Sequence, residues 1–191
     1  MIRKFLAATT FSCFFLLLLV LSGCHRRMAP TITAGEYNEK TNRTDYVVLP
    51  YGGVSLPGKW IHGRYRKESR QQYFSNFDSS VVSIAFGPCD KLGFPTKGAT
   101  GYSFVKLYNE WETKYQSELL KMQVKVIVAD SADKYMIWQV SGDGGVNQFN
   151  LCGARDCSCG ECAFQMFTIV SNKLTDEQKV KFLQDIYLEK K

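Results

Sequence analysis

The sequence predicts an α+β fold in which an antiparallel β-sheet is covered by two amphipathic helices. One observation is a series of short strand-like runs separated by turn residues. The others are two segments with apolar residues at three- and four-residue steps, over about 103–122 and 175–188. Strands joined by short turns and interrupted by helices favour an antiparallel sheet with helices packed on it. The chain of 191 residues, 45% of them hydrophobic, suffices for one such domain.

Eight segments have strand character, two of them separated by Pro50 and a glycine pair. They are residues 46–49, 54–56, 72–77, 81–86, 124–128, 135–140, 146–152 and 163–170. Apolar and polar residues partly alternate in 72–77 and 81–86, which predicts a sheet with one covered face.

The two helices have different local signals. The first, over 103–122, carries an apolar stripe that we interpret as a core-facing surface rather than a ligand-binding one. Its members are Phe104, Leu107, Tyr108, Trp111, Tyr115 and Leu119. The second opens at Thr175, which with Gln178 three residues later matches a capping box. Its apolar side is predicted to contain Val180, Leu183, Ile186 and Tyr187.

The N-terminus has the pattern of an export signal. Arg3 and Lys4 precede an almost wholly apolar run over 5–21. As a helix the run would reach about 26 Å, so a transmembrane anchor is an alternative. The run ends in an aliphatic residue, two small residues and a cysteine, Leu21-Ser22-Gly23-Cys24. This ending resembles the lipobox of bacterial lipoproteins, which implies removal of residues 1–23 and lipidation of Cys24.

The resemblance divides the chain into a signal peptide (1–23), a lipidated N-terminus with a flexible tether (24–45) and one α+β domain (46–191). Residues 25–45 are polar and lack periodicity, as a tether requires. His25 stands where inner-membrane lipoproteins of enterobacteria usually carry Asp. By the same resemblance, the expected location is the bacterial cell envelope, on the outer membrane and facing the periplasm.

The charge of the chain bears on its partners. The formal charge of +6 falls to +4 once Arg3 and Lys4 are removed, and the remaining basic residues are scattered. This pattern argues against nucleic-acid binding. The expected partners are the membrane, through the lipid on Cys24, and another envelope protein.

Five cysteines follow the predicted tether. In an oxidising compartment we expect disulfides among Cys89, Cys152, Cys157, Cys159 and Cys162. Cys152 and Cys162 are predicted to face each other across the base of a hairpin. Two alternatives remain open. Cys152, Cys157, Cys159 and Cys162 could bind zinc or copper as thiolates, or the last two could exchange thiols. On the preferred interpretation no cofactor is predicted.

Catalytic patterns are weak. The chain has two histidines, and we interpret His62 as a surface or strand residue rather than a base.

The order of elements, with the turn Leu56-Pro57-Gly58-Lys59-Trp60, resembles the PsbP-like fold over 46–188. That resemblance implies a noncatalytic module. The sequence thus predicts a membrane-anchored envelope lipoprotein, a binding or assembly module of unknown ligand. The alternative is a periplasmic metal-binding or thiol-redox protein that uses the 152–162 hairpin.

Overall fold

The computed structural model of the protein describes residues 31–156 and 160–189. The strands are β1 (Ile32–Asn38), β2 (Arg43–Leu49), β3 (Gly52–Pro57), β4 (Ile61–Arg66), β5 (Gln71–Ser75), β6 (Val81–Pro88), β7 (Gln123–Asp130), β8 (Tyr135–Gly142), β9 (Val146–Asp156) and β10 (Cys162–Val170). The helices are α1 (Gly101–Lys114), followed by a π-helical turn (Tyr115–Leu119), and α2 (Asp176–Leu188).

The strands form two antiparallel sheets. The smaller has the order β1-β2-β3, and the larger has the order β4-β5-β6-β10-β9-β8-β7. The last strand of the chain, β10, therefore lies in the middle of the larger sheet and joins two three-stranded meanders. Its Phe167 pairs with Ile84 of β6 on one side and with Leu151 of β9 on the other.

The larger sheet is buried on both faces at its centre. One face packs against β1–β3 and α2 through a core that includes Ile137, Phe167 and Leu183. The other packs against α1 through a second core that includes Trp138 and Phe104. Neighbours such as Ile137 and Trp138 enter different cores because successive strand residues point to opposite faces. The α+β class holds in its coarse form, with antiparallel strands and two helices, but strands predominate and form two sheets where one was predicted. The predicted sheet with one covered face is corrected to one covered on both faces.

The C-terminal helix begins where its capping box predicts. The Thr175 side chain accepts a hydrogen bond from the Gln178 backbone amide, and the Gln178 side chain accepts one from the Thr175 amide. This arrangement satisfies two amides that the helix itself leaves unpaired. The predicted apolar side is buried at Leu183, Ile186 and Tyr187.

Two strands lie where the sequence predicts none. β1 and the start of β2 fall inside the segment 24–45 that we expected to be a tether, so the compact unit begins at Thr31. β1 is held by a continuous ladder to β2, although most of its side chains are exposed. The other unpredicted strand, β4, is an exposed edge of the larger sheet. Neither α1 nor α2, in the part of the chain that the structure describes, is long and apolar enough to cross a bilayer.

Candidate ligand-binding groove

A groove of about 600 Å³ lies beside α1, on the sheet face that α1 covers. This volume is within the range typical of small-molecule sites. Strands β5, β6, β9 and β10 form its floor, with polar residues where a buried strand would ordinarily carry apolar ones. The polar floor residues are Gln71, Tyr73, Ser83, Gln148, Asn150 and Thr168.

The floor is organised by strand register. Tyr73, Ser83, Thr168, Asn150 and Trp138 form one row across β5, β6, β10, β9 and β8, because each is paired directly with the next. Directly paired residues point to the same face of a sheet, with their Cβ atoms about 4.5–5.5 Å apart. The sequence thus brings together five side chains that are distant along the chain.

Two buried N–H groups in this row have no hydrogen-bond acceptor among the described residues, Asn150 Nδ2 and Trp138 Nε1. Asn150 and Trp138 are only 7% and 2% exposed. The side-chain carbonyl oxygen of Asn150 already accepts hydrogen bonds from Thr168 Oγ1 (2.9 Å) and Gln148 Nε2 (2.6 Å). The NH₂ group is therefore the part of this amide that lacks a partner. A buried donor without an acceptor costs about 1–3 kcal/mol, so it calls for an explanation.

An aromatic wall closes the groove on the side of α1. Trp111 stacks on Phe94 (ring centroids 5.5 Å apart) and on Tyr115 (6.1 Å). Tyr108 packs below them, with its ring 6.2 Å from that of Trp138. Trp111 and Tyr115 are nevertheless 40% and 42% exposed, so part of the aromatic wall remains open to solvent. The interpretation of the α1 stripe as wholly core-facing is therefore wrong for Trp111, Tyr115 and Leu119.

Charged groups stand at the sides of the groove. Glu112 on α1 accepts a hydrogen bond from Gln116 Nε2 (2.6 Å). Burial raises the pKa of Tyr108 well above its ordinary value, and the Glu112 carboxylate raises that pKa further. On the opposite side, the Arg66 guanidinium lies 5.5 Å from the centre of the Tyr73 ring.

A β-bulge positions Arg66. β4 shifts register between His62 and Tyr65, with one extra residue relative to β5, and Arg66 then pairs with Gln71. Because side chains alternate between faces, the extra residue moves Arg66 to the groove side of the sheet. His62 lies on the same strand with its ring 4.6 Å from that of Phe74, a surface strand position as expected.

The structure contains a disulfide between Cys89 and Cys162. Cys89 follows the end of β6, and Cys162 begins β10 beside it. The predicted pairing of Cys152 with Cys162 is wrong. Cys162 lies opposite Asp156 on β9, whereas Cys152 lies opposite Met166, four residues farther along β10 or about 13 Å away.

Cys152 is a free, buried cysteine beneath α1. Burial, and next the Glu112 carboxylate, raise the pKa of its thiol, which makes the thiol unreactive at neutral pH. The alternative metal site of Cys152, Cys157, Cys159 and Cys162 is contradicted, since Cys162 is oxidised and far from Cys152. Thiol exchange by a Cys159–Cys162 pair would need a free thiol at Cys162, and that sulfur is bonded to Cys89.

Several predicted site residues lie outside the described residues, namely Cys24, Cys157 and Cys159. Within residues 31–156 and 160–189, no three His, Cys, Asp or Glu side chains form a group that could hold a metal ion.

The sequence matches no protein-family model, and no curated protein matches it. The groove was not predicted, although its signal was present as polar residues at alternate positions of buried strands, as at Ser83 and Thr168.

Proposed function

We propose that the protein is a lipid-anchored lipoprotein of the bacterial cell envelope whose domain is a noncatalytic binding module, with the groove as its ligand site. The observation that carries the ligand site is the pair of buried donors, Asn150 Nδ2 and Trp138 Nε1. A ligand that supplies an acceptor there removes the cost of leaving both N–H groups unpaired. The polar side chains of the floor are neutral amides and hydroxyls, which suit binding rather than proton transfer.

We expect the groove to bind a small molecule from the envelope. The full chain, held in a polyoxyethylene detergent, is mixed with a small-molecule extract of envelopes and studied by saturation-transfer NMR. Thr168→Trp places a large ring on the floor and should weaken the transferred signals at least tenfold. Lys125→Trp, on the exposed edge strand β7, is the matched control and should leave the signals unchanged. The ligand site is rejected if no compound receives saturation from the unmodified protein, or if Thr168→Trp binds equally well.

The support for the lipid anchor is the resemblance of Leu21-Ser22-Gly23-Cys24 to a lipobox. Cys24→Ser should abolish incorporation of labelled palmitate and leave an uncut precursor, because the thiol that accepts the lipid is gone. Cys13→Ser, in the segment expected to be removed, should keep normal labelling. In the unmodified strain the protein should fractionate with the outer membrane. Cleavage of Cys24→Ser after Gly23, followed by release, would show a secreted protein instead.

A further inference from the structure

We propose that the groove binds a saccharide carrying N-acetyl groups, with an acetamido carbonyl oxygen accepting from both Asn150 Nδ2 and Trp138 Nε1. This inference rests on the proposed function, since it names the ligand class of the same groove. Three properties of the groove support it: two unpaired donors on directly paired residues, a floor whose polar side chains are uncharged, and a partly exposed aromatic wall.

The donors require an acceptor with two lone pairs. Asn150 and Trp138 are paired directly across β9 and β8, so the two side chains are neighbours on one face of the sheet, and both line the groove. A carbonyl oxygen can accept two hydrogen bonds at once. The Asn150 carbonyl is already occupied by Thr168 and Gln148, so this position offers donors and selects for acceptors.

The charges of the groove favour a neutral acceptor over an anionic one. Among the described residues that line it, the charged ones are Arg66, Glu68 and Glu112. Two carboxylates against one guanidinium disfavour a phosphate or a carboxylate, for which clustered Arg and Lys side chains are typical. The guanidinium also lies over Tyr73, at the far end of the polar row from Trp138. A neutral amide carbonyl can accept hydrogen bonds from the two donors without a cation beside it.

The aromatic wall and the remaining floor match the two faces of a sugar ring. A pyranose has C–H groups on its flat faces, which pack on aromatic rings, and hydroxyls around its edge. Tyr115 lies at the end of the stack of Phe94, Trp111 and Tyr115, lines the groove and is 42% exposed, so its ring offers such a surface. Ser83, Thr168 and Gln71 offer hydroxyl and amide groups to the edge. Met166, on the same face of β10 as Thr168, gives an acetyl methyl an apolar contact.

The test compares two trisaccharides that share the β-1,4 linkage and differ at C2. Triacetylchitotriose carries acetamido groups there, and cellotriose carries hydroxyls. The full chain in a polyoxyethylene detergent is titrated with each by calorimetry. Tryptophan fluorescence is a second readout, because Trp111 and Trp138 line the groove and are two of the three tryptophans. We expect triacetylchitotriose to bind about tenfold more tightly than cellotriose, the size of effect expected for a hydrogen-bonded acceptor.

Two substitutions remove one donor each with little change in shape. Trp138→Phe deletes the indole N–H, and Asn150→Leu deletes the NH₂ group at similar side-chain volume without adding a buried charge. Each should weaken triacetylchitotriose binding about tenfold and leave cellotriose binding nearly unchanged. Trp60→Phe is the matched control, since Trp60 belongs to the core on the opposite face of the sheet. It should bind as the unmodified protein does.

The inference is overturned if triacetylchitotriose does not bind, if cellotriose binds equally well, or if Trp138→Phe and Trp60→Phe behave alike. Failure of the saccharide can be told apart from failure of the ligand site. If envelope compounds still bind the unmodified protein and are lost in Thr168→Trp, but triacetylchitotriose does not displace them, the groove is a ligand site for another class of molecule. If no compound binds at all, the proposed function fails as well.

Discussion

Gly153→Ala is expected to lower the free energy of unfolding of the domain by about 3 kcal/mol, the upper end of the usual cost of overpacking a core. A Cβ atom at this position would lie 2.2 Å from Tyr187 Cε2 and 2.4 Å from Cζ. Tyr187 is 1% exposed, and its hydroxyl donates to the Asp133 carbonyl at 2.8 Å. The Arg155 guanidinium lies 4.4 Å from the centre of the same ring. Burial, this hydrogen bond and the guanidinium therefore all oppose a shift of the ring.

Urea denaturation of the full chain, followed by circular dichroism, measures the effect. The matched control is Gly93→Ala, because a Cβ atom at Gly93 would meet nothing within 4 Å. Neither glycine has a positive φ, so backbone strain does not separate the two variants. We expect Gly93→Ala to unfold within about 0.5 kcal/mol of the unmodified protein. Equal midpoints for the two variants would mean that Tyr187 relaxes and that this contact is not rigid.

Removal of the Cys89–Cys162 disulfide is expected to lower the free energy of unfolding by about 4 kcal/mol in the chain-entropy account of cross-links. The bond joins positions separated by 73 residues, and a cross-link that closes a long loop restricts the unfolded chain strongly. The double variant Cys89→Ala/Cys162→Ala removes the bond without leaving an unpaired thiol at either position. Urea denaturation of the oxidised protein and of this variant provides the comparison.

Cys152→Ala is the control for loss of a cysteine without loss of this bond. Cys152 is free and buried, so its replacement deletes one sulfur from the core beneath α1. We expect a cost of about 1 kcal/mol, well below that of the double variant. Peptide mapping without reductant should recover Cys89 and Cys162 in one linked pair of peptides. A linked pair that contains Cys152, or equal costs for the two variants, would contradict the disulfide described above.

The helices could be predicted because their signals are local. The capping box at Thr175 is a pattern of four consecutive residues, and it sets the start of α2 within the chain itself. The apolar period of α1 is equally local, and it predicts the helix correctly up to Lys114. The same period cannot show where the sheet beneath the helix ends. Trp111 and Tyr115 continue the stripe beside the groove, where they are partly exposed.

The missed strands and the wrong cysteine pair depend on contacts between distant segments. β1 contains glycine and mostly exposed side chains, so its order comes from the ladder with β2 and not from an apolar pattern. Cys89 and Cys162 meet because β6 and β10 are neighbours in the larger sheet. Nothing in the spacing of the cysteines reports that neighbourhood. The proximity of Cys152 to Cys162 in sequence favoured the wrong partner.

The groove, too, depends partly on local sequence signals and partly on contacts between distant segments. Polar residues in otherwise apolar strands, such as Ser83 and Thr168, can be read from the sequence. Their assembly into one row with Asn150 and Trp138 follows from the strand order and register. The bulge that moves Arg66 to the groove side is also visible only in the paired strands.

The central place of β10 has a consequence for biosynthesis. A chain is made from its N-terminus, so the segments of the β4–β6 and β7–β9 meanders are synthesised before β10, and without β10 both β6 and β9 would be sheet edges. Unpaired edges of apolar strands bind other chains and promote aggregation. A product truncated before Cys162 keeps both edges open permanently. The two meanders therefore become one continuous sheet only through the last strand, which lies between β6 and β9.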